Sequence, residues 1–170
     1  MSQDELSGPD LVGVVADANS AGLEHVVIGG FSVIFHGYVR ATRDSDLLVP
    51  DGEEVDETIL RFLDLANGRR LSDGRKLTID DIAGAEHLRV NSRRGIIDII
   101  RGGRPPLDFD TVSSRADTVE WEGQKVRVAA LPSVVGFKRL ARRPQDRVDL
   151  EELEAIHGDL PTEPIPGLDS

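Results

Sequence analysis

Three aspartates in this sequence have the types and spacing to do chemistry together. Asp44 and Asp46 are one residue apart at the mouth of the apolar run Leu47-Leu48-Val49, and side chains two apart on a strand point to the same face. Asp98 interrupts the run Ile96-Ile97-Asp98-Ile99-Ile100, which reads as a neighbouring strand. A lone carboxylate there is costly to bury without compensation, and two more carboxylates nearby add repulsion. A divalent cation reverses the sign of that problem, and hard carboxylate oxygens suit Mg²⁺ or Mn²⁺. Each acid also has an ordinary reading: Asp44 as a strand cap, Asp98 as a partner of Arg93, Arg94 or Arg101.

A glycine pair completes the pattern. Gly29-Gly30 follows the apolar run Val26-Val27-Ile28 and precedes a short helix expected to begin near Ser32. Glycines at such a turn let the backbone bend sharply and let a phosphate approach the amide N–H groups. Most glycine pairs are only turns. The compound pattern says more: strand, Gly-Gly, Asp-x-Asp entering a second strand, then a later strand with one central Asp. That order suits phosphoryl-group chemistry, with backbone amides on a triphosphate and carboxylates on one or two metals.

The elements that must position these groups follow from periodicity and punctuation. Leu11, Val14, Val15 and Ala18 recur at helical spacing between a candidate N-cap, Asp10, and a stop at Gly22. Val55, Ile59, Phe62, Leu63 and Ala66 mark a second helix face ending at Asn67-Gly68. Residues 87–90 and 96–100 read as one hairpin, 118–121 and 125–129 as another. A helix is expected from Pro132 to about Ala141, an interruption at Pro144, and a last helix over 148–156. The expected class is α+β: a small mixed β-sheet flanked by helices, with C-terminal helices. Residues 1–157 are expected to form a single domain, and 158–170 a loosely ordered Pro-rich acidic tail.

Composition bounds the rest. With 39% hydrophobic residues among 170 and only seven aromatics, the core must be built from Val, Ile and Leu. The absence of cysteine excludes a disulfide framework, Cys-ligated zinc and a thiol nucleophile. No apolar run reaches the roughly 20 residues of a membrane helix, and the acidic start MSQDELSGPD does not read as a signal peptide. A cytoplasmic protein without a membrane partner is the expectation. The net charge is −11 but unevenly spread: residues 1–39 and 149–170 contain no Lys or Arg at all. Residues 89–104 and 138–147 are locally basic, which leaves a phosphate or nucleic-acid partner open, although solvated surface charge explains such clusters equally.

The stretch VVIGGFSVIFHGYVRATRDSDLLV resembles the first motif of the DNA polymerase β-type nucleotidyltransferase superfamily. More narrowly, it is similar to the small bacterial nucleotidyltransferases grouped with the AbiEii and MenT-type toxins. The shape appears as Gly29-Gly30, Gly37, Arg40, Thr42, Asp44 and Asp46. FKRLARRPQDRVDLEEL is similar to that subgroup's later motif, giving Lys138, Ala141, Arg143, Asp146, Asp149 and Leu150. The matches span roughly residues 26–156. The resemblance implies that Asp44, Asp46 and Asp98 hold the metal ions, with Asp98 as a base toward an acceptor hydroxyl. It implies that Gly29, Gly30 and Ser32 cradle the β- and γ-phosphates, that Lys138 neutralises phosphate charge, and that Asp146 orients Lys138 or Arg143. Arg40 is implied as a phosphate contact or as a clamp on Asp44.

The resemblance further implies Mg²⁺- or Mn²⁺-dependent transfer of a nucleoside monophosphate from an NTP to a hydroxyl. The acceptor would be a tRNA 3′ end, a protein side chain or a small molecule such as an aminoglycoside, and a cognate antitoxin is an implied partner. The alternative is a module of the same fold that binds nucleotide or a partner without turnover. Elsewhere the sequence is blander. His25, His36, His87 and His157 show no ligand spacing, Tyr38 and Trp121 read as packing residues, and Asp108 and Asp110 read as a surface loop beside Pro105-Pro106.

Overall fold

The structure is a computed structural model in which the described residues are 8–169; residues 1–7 of the acidic start and residue 170 of the tail lie outside them. Helix α1 (Leu11–Ala21) starts where the Asp10 side chain accepts from the Gly13 amide and stops at Gly22, whose φ of 75° an L side chain rarely adopts. β1 (Val26–Ile28) and α2 (Gly29–Phe35) follow, then β2 (Asp44–Val49) and α3 (Glu53–Leu65). The two-residue β3 (Arg69–Arg70) and the single-turn α4 (Ile79–Ile82) lie in a polar stretch that carries no apolar period. The hairpin β4 (His87–Asn91) and β5 (Ile96–Arg101) comes next, then α5 (Phe109–Arg115), the hairpin β6 (Asp117–Trp121) and β7 (Gln124–Val128), and finally α6 (Leu131–Ala141) and α7 (Pro144–His157).

Three expectations need correction. Pro144 begins α7 rather than interrupting a helix. Its missing N–H costs nothing at the first helical position, and the break falls instead at Arg142, with φ 58°. Asp108 is not loop decoration, because it caps α5 by accepting from the Thr111 amide. The tail is also packed: Ile165 is buried against α6, and Asp169 accepts from Arg139 and from the Ile165 amide.

The seven strands form one mixed sheet in the order β3-β4-β5-β2-β1-β7-β6. β1 runs antiparallel to β2, and β2 runs parallel to β5, with Asp46 opposite Asp98. Strand alternation then divides the core in two. Val27, Leu47, Val49, Ile97 and Ile99 face α1, α3 and α4. Val26, Ile28, Leu48 and Ile100 face α5, α6 and α7. Asp44, Asp46 and Asp98 share the second face by the same alternation, in the N-terminal halves of β2 and β5.

Candidate functional site

β2 begins three residues before the apolar run Leu47-Leu48-Val49, so Asp44 and Asp46 both lie within the strand. Asp98, 5% exposed, lies across the ladder from Asp46. One carboxylate oxygen from each of the three acids lies within 4.8 Å of the others. These hard oxygens would suit a divalent cation. The three acids line a cleft of about 550 Å³ together with Gly29, Gly30 and Ser32.

Two observations explain the glycines. Gly29 has φ 69°, and a Cβ built there would come within 1.8 Å of an Asp46 carboxylate oxygen. A Cβ on Gly30 would meet the Thr42 hydroxyl at 2.5 Å. α2 begins at Gly29 itself, earlier than its expected start near Ser32. Ser32 Oγ is buried and donates to the Gly29 carbonyl at 2.6 Å, holding the turn.

Helix α6 lies along the cleft with Val134, Phe137, Lys138 and Ala141 on the facing side. Three solved structures share this architecture. The lincosamide antibiotic adenylyltransferase LnuA, lincomycin-bound, superposes with a TM-score of 0.59 at 12% identity, over 86% of this chain and 96% of that one. The antibiotic-resistance factor ANT(2'')-Ia gives 0.56 at 14% identity, over 85% and 80%. An antigenic nucleotidyltransferase-like protein from Paracoccidioides brasiliensis gives 0.56 at 16%, over 92% and 77%. The chain has a nucleotidyltransferase fold. At these identities the likeness is one of fold, and no family model or curated protein matches the sequence.

Within the nucleotidyltransferase fold, one ion-pair network centred on Lys138 lies beside the cleft. Lys138 donates to Asp146 at 3.0 Å and pairs with Asp149 at 2.9 Å. Asp146 also accepts from the Arg143 backbone and side chain, each at 2.9 Å, so it serves both basic residues. Arg40 corrects an expectation: it is not a clamp on Asp44. Its guanidinium makes a two-pronged contact with Asp149 at 2.8 and 2.9 Å. Burial raises the proton affinity of Asp149, but hydrogen bonds from Arg40, Lys138 and Gln145 outweigh it and hold the carboxyl below its usual range. Asp146 is lowered in the same way, burial being overcome by Arg143 and Lys138.

Asp46 moves in the opposite direction. Burial, the Asp44 charge and a contact with Asp98 push it up to about 8, with Lys138 pulling weakly the other way. The carboxylates therefore demand positive charge that the surrounding side chains only partly supply.

Two residues of this cleft were missed by motif reading. Arg89 Nη1 donates to Asp44 at 2.9 Å and to Asp98 at 2.6 Å, and His87 Nε2 lies 2.9 Å from the other Asp98 oxygen. The expected partners of Asp98 are engaged elsewhere: Arg93 and Arg94 with Asp17, and Arg101 with Asp56. The signal was available in the hairpin, because its register sets Arg89 opposite Asp98, and alternation places His87 on the same face. These pairs also consume the locally basic stretches. Among their described members only Arg104, Arg142 and Arg147 lack an ion pair.

Proposed function

We propose that this chain transfers a nucleoside monophosphate from an NTP to a hydroxyl acceptor and releases pyrophosphate. The observation that carries the reading is the convergence of Asp44, Asp46 and Asp98 beside the Gly29-Gly30 turn, in one cleft of a nucleotidyltransferase fold. Asp44, Asp46 and Asp98 would hold Mg²⁺ or Mn²⁺, which when bound neutralises phosphate charge and favours attack by the acceptor oxygen.

The remaining roles belong to the protein. The turn at Gly29 and Gly30 gives phosphate oxygens access to backbone amides. Ser32 fixes that turn through the Gly29 carbonyl. Lys138, anchored by Asp146 and Asp149, sets a positive charge on the cleft wall, and Arg143 adds a second at its mouth. Arg40 acts at one remove by fixing Asp149. Asp98 takes the proton of the acceptor hydroxyl once one of its bonds to His87 or Arg89 opens. The new bond joins the acceptor oxygen to the α-phosphorus, and the bond to pyrophosphate breaks.

Two acceptor classes have separate support. A small-molecule hydroxyl is favoured by the neighbours, among them ANT(2'')-Ia in complex with adenylyl-2''-tobramycin, and by the internal neutralisation of most arginines in the basic stretches. A tRNA 3′ end, with a toxin role and a cognate antitoxin, is supported by the motif around Lys138 and Asp146. The test is incubation of purified protein with each α-labelled NTP and Mg²⁺, against total RNA in one arm and aminoglycosides and lincosamides in the other. Label transferred to either acceptor, and lost in Asp44→Ala, supports nucleotidyl transfer. No label in any arm leaves the binding-module reading.

A further inference from the structure

Arg89 reaches the carboxylate cluster from the neighbouring strand β4, and its contacts define what an incoming cation must displace. A single nitrogen, Nη1, lies between Asp44 Oδ2 at 2.9 Å and Asp98 Oδ2 at 2.6 Å. It therefore touches two of the three acids whose oxygens cluster as candidate metal ligands. The other Asp98 oxygen is engaged by His87. The Asp98 side chain is 7% exposed, whereas Arg89 is 43% exposed and His87 57%. The carboxylates are thus held by the strand ladder, while both partners are exposed arms that can turn into solvent.

Electrostatics sets the direction of the effect. A guanidinium carries one diffuse charge and cannot approach oxygen as closely as a bare divalent ion. Arg89 therefore relieves the repulsion only in part.

We propose that Arg89 is a built-in counter-ion of the carboxylate cluster, competing with the divalent cation for Asp44 and Asp98. The inference rests on the metal-site reading above and concerns binding of the cation alone, before any nucleotide. Arg89 keeps its proton throughout; it exchanges two carboxylate contacts for water as the cation takes them over. Because Arg89 lines the same cleft, its charge stays at the mouth after release, on the route of an anionic nucleotide.

The experiment is titration of the whole protein with Mn²⁺ in the absence of nucleotide. Free Mn²⁺ is followed by electron paramagnetic resonance for wild type, Arg89→Gln and Arg89→Lys, with thermal melts confirming folding. Arg89→Gln removes the charge, and the expected result is about tenfold tighter Mn²⁺ binding. Arg89→Lys keeps the charge and should stay near the wild-type affinity. Unchanged or weaker binding in Arg89→Gln, with normal binding by wild type, overturns the counter-ion role while leaving the metal site standing. Absence of Mn²⁺ binding in all three proteins overturns both.

Discussion

Asp46 concentrates the electrostatic problem of the site in one side chain. Burial and two neighbouring carboxylates hold its proton up to about pH 8, against an ordinary value of 3.8. A cation must displace that proton, so Mg²⁺ affinity should rise with pH and level off above about 8. Calorimetry in buffers of different ionisation enthalpy would count the proton released; no release at pH 7 would contradict the assignment. The same shift acts on stability. A carboxyl with a raised folded pKa contributes fully below 3.8 and loses that contribution as pH rises to about 8. The melting temperature of metal-free wild type should therefore fall relative to Asp46→Asn across that window, and parallel curves would refute it. Gly29 is the second decisive residue. Gly29→Ala forces a left-handed φ on a side chain aimed at Asp46, with an expected cost of about 1–3 kcal/mol and loss of transfer; a melt and a transfer assay read the two effects separately.

Between α6 and α7, the C-terminal helices are joined by charge as well as packing. Asp149, wholly buried, accepts from Arg40, Lys138 and Gln145, which ties the loop before β2 to both helices. Asp149→Ala would leave Arg40 without its ion-pair partner and Lys138 with Asp146 alone, at an expected cost of about 3–5 kcal/mol by denaturant unfolding. A cost below about 1 kcal/mol would show that the network is solvated. Because the folded pKa values of Asp146 and Asp149 are lowered, their contribution is present above 3.8 and is lost as pH falls through the lowered values. Most elements were legible because their periods are clean, as in α1, α3 and both hairpins. β3, α4 and α5 were not, being short; Thr78 and Asp108 cap the two helices, whose apolar burial is limited to Ile82, Phe109 and Val112. The carboxylates could be read from spacing and register, whereas the Arg40–Asp149 pair spans 109 residues and left no local pattern.

Across the whole molecule, the sheet order brings β5 beside β2 and so joins residues far apart in sequence into one cleft. The chain carries a net charge of −11, which favours long-range attraction of cations to the molecule as a whole. If the acceptor is a polycationic small molecule, its kcat/KM should fall as ionic strength rises and the Debye length shrinks from about 10 Å at 0.1 M. A rate independent of salt would remove steering from the account.

The central claim is that Asp44, Asp46 and Asp98 grip one cation together. Anomalous diffraction from crystals soaked in Mn²⁺ tests it directly. The expected result is a peak bonded to oxygens of all three aspartates, with Arg89 moved off Asp44 and Asp98. A peak elsewhere, or one reached by Asp44 and Asp46 but not by Asp98, would contradict it.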